Sequence, residues 1–321
     1  MHISPTSKPH IYITMGDPAG IGPEVTAKAM ASPDIKRLAI FTIIGDNAVL
    51  QQAFNGSVPS GVNILDPVAS LREIRPGKPT AEGAKKALEC IDAAARIMLD
   101  KTDKTPRAMV TAPVSKEAIA EVRKGFRGHT EYLQEASSAQ FVTMAMIGKN
   151  LCVIPVTRHI PISEVAGTLN ADIVLRTLKQ VIENRSLLSE NDPARIGVCA
   201  LNPHCGEKGK IGTEEIDIIA PAVEEARKKY EHIEGPVAAD VVFYRALKKS
   251  IDIVVSMYHD QGLGPFKMID FDNGVNMTLG LGWVRTSPDH GTAFDIAGKG
   301  IADSRSMECA IQLAVRAITS I

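Results

Sequence analysis

Short apolar runs alternate with amphipathic stretches along most of the chain. Residues 11–15 form an apolar run of strand length that ends in GDPAGIGPE, and residues 24–31 then read as a helix. Residues 38–44 are almost continuously apolar, as expected of a parallel strand covered on both faces. Turn-rich polar stretches at 55–62 and 75–79 read as loops. Between residues 80 and 99, Ala84, Ala87, Leu88, Ile91, Ala95, Ile97 and Met98 recur with helical spacing, and Thr80 suits the helix start. A strand at 108–110 leads through TAPVSK to a short helix at 117–122. Beyond GFRGHTEYL come strands at 141–147 and 151–156, a helix at 172–184 and a strand at 196–201. Helix signals resume at Thr213; Pro221 breaks or restarts them, and 222–230 is the firmer part. A helix at 238–247, strands at 253–257 and 275–279, and a C-terminal helix at 305–320 complete the pattern. Helices between strands predict an α/β protein with crossover connections and mostly parallel sheet. The break is expected near 123–127, giving a first domain of residues 1–125 plus 298–321 and a second of 126–297.

The stretch from 256 to 300 departs from this rhythm. It holds eight of the 25 glycines, with His259, Lys267, Arg285 and His290 among them. Glycine lets the backbone approach a ligand closely, and polar residues between glycines belong to loops that carry function on a rigid scaffold. Met257, Val275, Met277, Leu279 and Leu281 interrupt the polar positions, so two short strands are expected to deliver the loops to a pocket. Solvated hairpins with polar tips are the plainer alternative.

Composition narrows the function classes. The 321 residues are 45% hydrophobic and 23% charged, ordinary for a globular protein, and the formal net charge is −1. That balance offers no field for nucleic acid or an anionic membrane surface, so neither is expected as a partner. No apolar run approaches the roughly 20 residues of a membrane span. No charged start followed by an apolar core marks a signal peptide at the N-terminus. The five scattered cysteines fit a reducing cytoplasm better than a disulfide framework.

Three histidines stand in like positions. His159 follows the run LCVIPVT, His204 follows IGVCALNP, and His259 follows DIVVSMY, each just past the C-terminal end of an expected parallel strand. Open α/β sheets gather their ligands there, and three imidazoles suit a divalent metal with an open position. Any one of them alone reads more readily as a hydrogen-bonded structural residue. Cys205 is a weaker competing ligand. Lys267, Arg285 and Asn276 offer heads for a carboxylate or phosphate, with solvated surface as the plain reading of the two cations. In GHTE, His129 and Thr130 sit at an expected helix N-terminus that favours anions; Thr130 as a simple N-cap is an equal reading. GDPAGIGPE spaces its glycines unlike the dinucleotide fingerprint, and no P-loop is present.

The motifs ITMGDPAGIGPE, TAPVSKEAI, GHTEYL, TRHIPI, LNPHCGEKGKIGTEEID, MYHDQG, VNMTLGL and RTSPDHGTAFDIAGKG run through essentially the whole chain. Together they resemble the 4-hydroxythreonine-4-phosphate dehydrogenase family, with the related 4-phospho-D-threonate and erythronate dehydrogenases. GDPAGIGPE and HGTAFDIAGKG are also similar to segments of isocitrate and isopropylmalate dehydrogenases. The resemblance implies two α/β/α domains with a cleft between them, in a homodimer with shared sites. It implies NAD and a divalent metal (Zn, Mg or Co), a phosphorylated hydroxy acid as substrate, and oxidation followed by β-decarboxylation. By resemblance His159, His204 and His259 hold the metal, with His259 reaching across the dimer, and His129, Thr130, Lys267, Asn276 and Arg285 bind substrate. Asp289, His290, Gly291, Thr292, Ala293 and Asp295 match the loop that meets the cofactor's adenosine. Lys267, Asp260 and Asp240 are the candidates for catalytic work; a helix cap is an equal reading of Asp240. Gly282-Trp283 stands where the family has proline and an apolar residue, close before Arg285. A phosphotransacetylase-like acyltransferase, needing no metal, and a non-catalytic binding protein are the competing classes.

Overall fold

In the computed structural model, residues 8–67, 71 and 74–319 are described. Their strands are β1 (His10–Thr14), β2 (Ile40–Ile44), β3 (Val62–Leu65), β4 (Arg107–Thr111), β5 (Thr143–Ile147), β6 (Cys152–Pro155), β7 (Ile196–Cys199), β8 (Ile233–Val237), β9 (Ile253–Ser256), β10 (Val275–Leu279) and β11 (Val284–Pro288). The chain divides into two units, Met1–Gln140 with Leu281–Ile321, and Phe141–Gly280.

In the first unit, β3-β2-β1-β4-β11 lie side by side in that order, all parallel. Parallel strands need both faces covered, which is why β1, β2 and β4 bury most of their residues. The helix Ala81–Leu99 packs on β1 and β4 and buries Ala84, Ala87, Ile91 and Ala94. Thr80 is its N-cap as expected, its hydroxyl accepting from the Gly83 N–H at 3.0 Å. The C-terminal helix Arg305–Thr319 returns to this unit and packs on β11 and β4. Residue 320, the expected end of that helix, lies outside the described residues.

The second unit orders its strands β10-β5-β6-β9-β7-β8. Strand β5 pairs antiparallel with β10 and β6, whereas β6, β9, β7 and β8 run parallel. Buried Asp270 holds the turn before β6 by accepting from the backbone N–H groups of Asn150 and Leu151 and from the Asn150 amide.

Several elements differ from the sequence reading. Residues 259–270 form a helix, not a loop, despite Gly262, Gly264 and Pro265 inside it. Gly262 is there for packing, since a Cβ would stand 2.5 Å from the Ser256 hydroxyl. Strand β8 carries Gly235-Pro236, which its place at the sheet edge tolerates. Strand β3, which begins at the last residue of the expected loop 55–62 and has no counterpart in the sequence reading, is short and half exposed, and β11 hides among threonine, serine and arginine. After Thr213 a wide turn, Glu215–Ile219, runs directly into the helix Ala220–Arg227, with Pro221 in its first turn where a missing N–H costs nothing. The unit boundaries fall at 140/141 and 280/281 rather than 125/126 and 297/298. The helix His129–Ser137 packs on Ala81–Leu99, and β11 pairs with β4, so both belong to the first unit.

Candidate active site

In the first unit the polar groups gather around Arg285, inside β11, and Thr111, the last residue of the neighbouring strand β4. Arg285 is only 2% exposed, and its Nε and Nη2 donate to the Thr111 hydroxyl at 3.1 and 2.6 Å. Burial pushes its guanidinium down to about 10 while Glu131 pulls it up, so it stays a cation at neutral pH. His129 begins the helix His129–Ser137, and its buried Nε2 has no partner among the described residues. Burial holds this imidazole well below its ordinary value of 6.5; the charges of Arg285 and Lys116 add to that, and Glu131 opposes it. Gly128 occupies the N-cap position and makes no side-chain bond, so Thr130, 8% exposed, is a first-turn residue and not the cap. A desolvated guanidinium, a neutral imidazole and a helix N-terminus have the chemistry to receive an oxyanion. Thr111, Lys116 and Glu131 escaped the sequence reading, although TAPVSK and GHTE contain them.

The folded state keeps His129 neutral where the unfolded chain takes up a proton. Stability therefore falls as pH drops below 6.5, until the folded imidazole itself titrates. The loss of Tm between about pH 7.5 and about pH 5 should be smaller in His129→Gln than in wild type. Equal losses would show that His129 takes its proton without cost in the fold.

The loop from Asp289 onward is strapped to the N-terminal motif of the same unit. The Ile21 N–H donates to the Thr292 carbonyl at 2.9 Å, and a Cβ at Gly20 would stand 3.0 Å from that oxygen. Asp289 N–H donates to the Ser306 hydroxyl, and Ala293 takes a left-handed φ of 42°. Lys28 donates to the carbonyls of Gly300 and Ala302, and Glu24 accepts from the Ala302 N–H. A cavity of about 590 Å³ opens beside this loop, lined by Pro18, Gly20, Glu24, Lys28, Pro76 and Gly298 among others. Asp17, fully buried, has one carboxylate oxygen on the Ala19 N–H and none on Oδ2 among the described residues; burial raises its pKa.

In the second unit the three histidines lie where the sequence placed them, beyond the C-terminal ends of β6, β7 and β9, three neighbouring parallel strands. Thr157 and Gln261, both missed in the sequence, tie these ends together. The Thr157 hydroxyl and N–H donate to the Met257 carbonyl; Gln261 accepts from the Met257 N–H and donates to the Ala200 carbonyl at 2.7 Å. The rings of His159 and His259 stand 5.8 Å apart, centroid to centroid. Asp260 Oδ1 is 2.7 Å from His259 Nδ1, which directs the Nε2 lone pair of that ring outward. Among the described residues of one chain, no group of three His, Cys, Asp or Glu could hold a metal, so one chain does not bring the three histidines together as a ligand set.

His204 opens a left-handed turn: residues 204–208 have φ of 52°, 54°, 74°, 45° and 59°. Four of the five are not glycine, and each such residue costs about 1–2 kcal/mol. Burial, and then Glu215, raise the pKa of Cys205, which keeps it a thiol and a poor ligand. Asp240 lies in the first turn of the helix Ala239–Leu247, past the end of β8; the N-cap is Ala238, so Asp240 is not a cap. Lys267 lies over the Phe271 ring, and the buried Oδ1 of Asn276 has no partner among the described residues.

The first unit buries a guanidinium beside an imidazole, and the second carries imidazoles and carboxylates at its strand ends. The sequence pattern described as pyridoxal phosphate biosynthetic protein PdxA matches residues 23–314, and the chain belongs to that family. It is 40% identical over 328 residues to a 4-hydroxythreonine-4-phosphate dehydrogenase of Geobacter metallireducens, covering 97% of this chain and 96% of that one. It is also 40% identical over 320 residues to a D-threonate 4-phosphate dehydrogenase of Cupriavidus necator, covering 93% and 94%. A crystal structure of 4-hydroxythreonine-4-phosphate dehydrogenase from Klebsiella pneumoniae superposes with a TM-score of 0.83 at 34% identity, covering 98% of this chain and 99% of that one. The chain is an oxidoreductase of this family. Among the described residues, no helix is long and apolar enough to cross a membrane.

Proposed function

We propose that the protein oxidises and decarboxylates 4-hydroxythreonine 4-phosphate with NAD and a divalent metal, giving 3-amino-2-oxopropyl phosphate in pyridoxal phosphate biosynthesis. The observation that carries this reading is the oxyanion pocket of buried Arg285 and orphaned His129, joined to near full-length similarity to dehydrogenases of that name. The substrate phosphate is assigned to Arg285, His129 and Thr130. Lys267 and Asn276 are assigned to the remaining polar groups of the substrate. His159, His204 and His259 are the metal ligands of the reading, with Zn, Co or Mg as the ion; imidazole nitrogens suit the first two best. In this reading His259 reaches into the site from the other copy of a homodimer, so no single chain supplies all three ligands of one ion.

When bound, the metal supplies Lewis-acid stabilisation of charge developing on the substrate oxygen, and NAD accepts the hydride. The chain's own part is binding and orientation. Asp260 holds the His259 ring through Nδ1. Asp240, at the same strand-end rim, is a candidate to orient the reacting hydroxyl. Oxidation at carbon 3 leaves a ketone β to the carboxylate, and loss of carbon dioxide follows; one NAD is reduced for each carbon dioxide released. The loop from Asp289 to Asp295, with His290, Gly291, Thr292 and Ala293, is assigned to the cofactor's adenosine. The neighbouring cavity is of a size that ligand sites commonly have.

The Cupriavidus relative supports a second substrate, D-threonate 4-phosphate, with the same chemistry and dihydroxyacetone phosphate as product. Comparing kcat/KM for the two phosphates decides between them. Five free cysteines, two of them pushed up to about 12 by burial, fit a reducing cytoplasm. Metal removal tests the reading against an acyltransferase. Chelation should abolish NAD reduction, and added Zn or Co should restore it; activity that survives chelation would overturn the metal assignment.

A further inference from the structure

The left-handed turn at 204–208 would relax to ordinary backbone unless something holds it. The holding group is Glu215, 3% exposed, at the start of the wide turn Glu215–Ile219. Its Oε1 accepts from the backbone N–H groups of Leu201 and Asn202 at 2.8 and 2.7 Å. Its Oε2 accepts from the Asn202 side-chain amide at 3.0 Å, which also donates to Glu214 at 2.6 Å. The carboxylate therefore fixes the two residues that lead from β7 into the turn. From the other side, the turn closes onto the same carboxylate. A Cβ at Gly206 would stand 2.6 Å from Glu215 Oε2 and 2.8 Å from the Gly212 carbonyl, and the Ile211 N–H donates to the Gly206 carbonyl at 3.0 Å. The imidazole of His204 is exposed at the head of this clamped segment, so its aim is set by the backbone and by no hydrogen bond of its own that the structure describes.

We propose that Glu215 is a positioning residue, whose buried carboxylate holds the left-handed turn and thereby aims His204 as a metal ligand. This rests on the reading of His204 as a ligand. Groups behind metal ligands commonly change affinity by about 10- to 100-fold when removed. A glutamine in place of Glu215 keeps one oxygen able to accept from both backbone N–H groups, so it should retain most of the function.

The test is Co²⁺ binding to the full-length, metal-stripped protein, by calorimetry and by the visible spectrum of the bound ion. Glu215→Ala should bind Co²⁺ about 10- to 100-fold more weakly than wild type and shift the visible band, and Glu215→Gln should recover most of the affinity. Glu215→Asp, which withdraws the carboxylate by one methylene, should also weaken binding, and it carries the test if the alanine variant does not fold. His204→Ala is the control for the underlying reading. If His204→Ala binds weakly while folded Glu215→Ala or Glu215→Asp binds as wild type, the positioning role is overturned and the ligand reading stands. A lowered Tm with unchanged Co²⁺ affinity has the same meaning, since a structural prop would give it. If His204→Ala itself binds Co²⁺ as wild type, the ligand reading fails and the positioning role falls with it.

Discussion

Mixing a His204→Ala chain with a His259→Ala chain should restore turnover that neither variant has alone. Each substitution removes a ligand from every site of its own homodimer, and two imidazoles rarely hold an ion in catalytic geometry. Within one chain His259 stands beside His159, and no third ligand joins them among the described residues. If His204 and His259 of one site come from different copies, the mixed dimer has one site with both histidines and one with neither. Random exchange makes half the dimers mixed, with half their sites intact, so recovery should reach about a quarter of wild-type activity. Subunit exchange is confirmed with differently tagged chains. Proven exchange with no recovery would mean that each site draws both histidines from a single chain.

Removing the substrate's phosphate should cost two to four orders of magnitude in kcat/KM. Arg285 is buried, its donors engage Thr111, and the buried Nε2 of His129 has no partner among the described residues. A substrate without phosphate takes the anion away from these desolvated groups, at about 1–3 kcal/mol for the neutral imidazole and more for the cation, roughly 3–6 kcal/mol together. At about 1.4 kcal/mol per tenfold, that gives the stated range. Binding energy from a remote group also positions the reacting carbon, so kcat should fall along with affinity. In Arg285→Met the gap between phosphorylated and free 4-hydroxythreonine should narrow, because the buried cation that favours the phosphate is gone. Similar kcat/KM values for the two compounds with the wild-type protein would refute the phosphate assignment.

The parallel core was legible because strands buried on both faces are continuous apolar runs, as at 40–44 and 253–256. The strand-end histidines were legible for the same reason, since each follows such a run. What the sequence hid was structure in which packing overrides local preference. The helix His259–Asp270 contains two glycines and a proline, and Gly262 is set by the nearness of Ser256, in the strand just before the helix, and of Val153, far earlier in the chain. Strand β11 looks like loop because its middle residues are Arg285, Thr286 and Ser287, all buried with polar heads directed to partners such as Thr111 and Ala310. The unit boundary moved for a related reason. Whether the helix His129–Ser137 packs forward or back depends on its contact with Ala81–Leu99, a tertiary choice with no local signal. Thr157, Gln261 and Glu215 were invisible as supporting groups because their importance lies in the backbone atoms they reach.

The central claim is metal-assisted oxidation of a 4-phosphorylated hydroxy acid by NAD. Its most direct test supplies the purified protein with NAD, Zn or Co, and 4-hydroxythreonine 4-phosphate or D-threonate 4-phosphate in parallel, and follows reduced nicotinamide together with carbon dioxide. The account predicts that at least one of these substrates yields the two products in equal amounts, and that chelation stops both. No reduced nicotinamide from either phosphate, with the metal-loaded protein folded and dimeric, would contradict it.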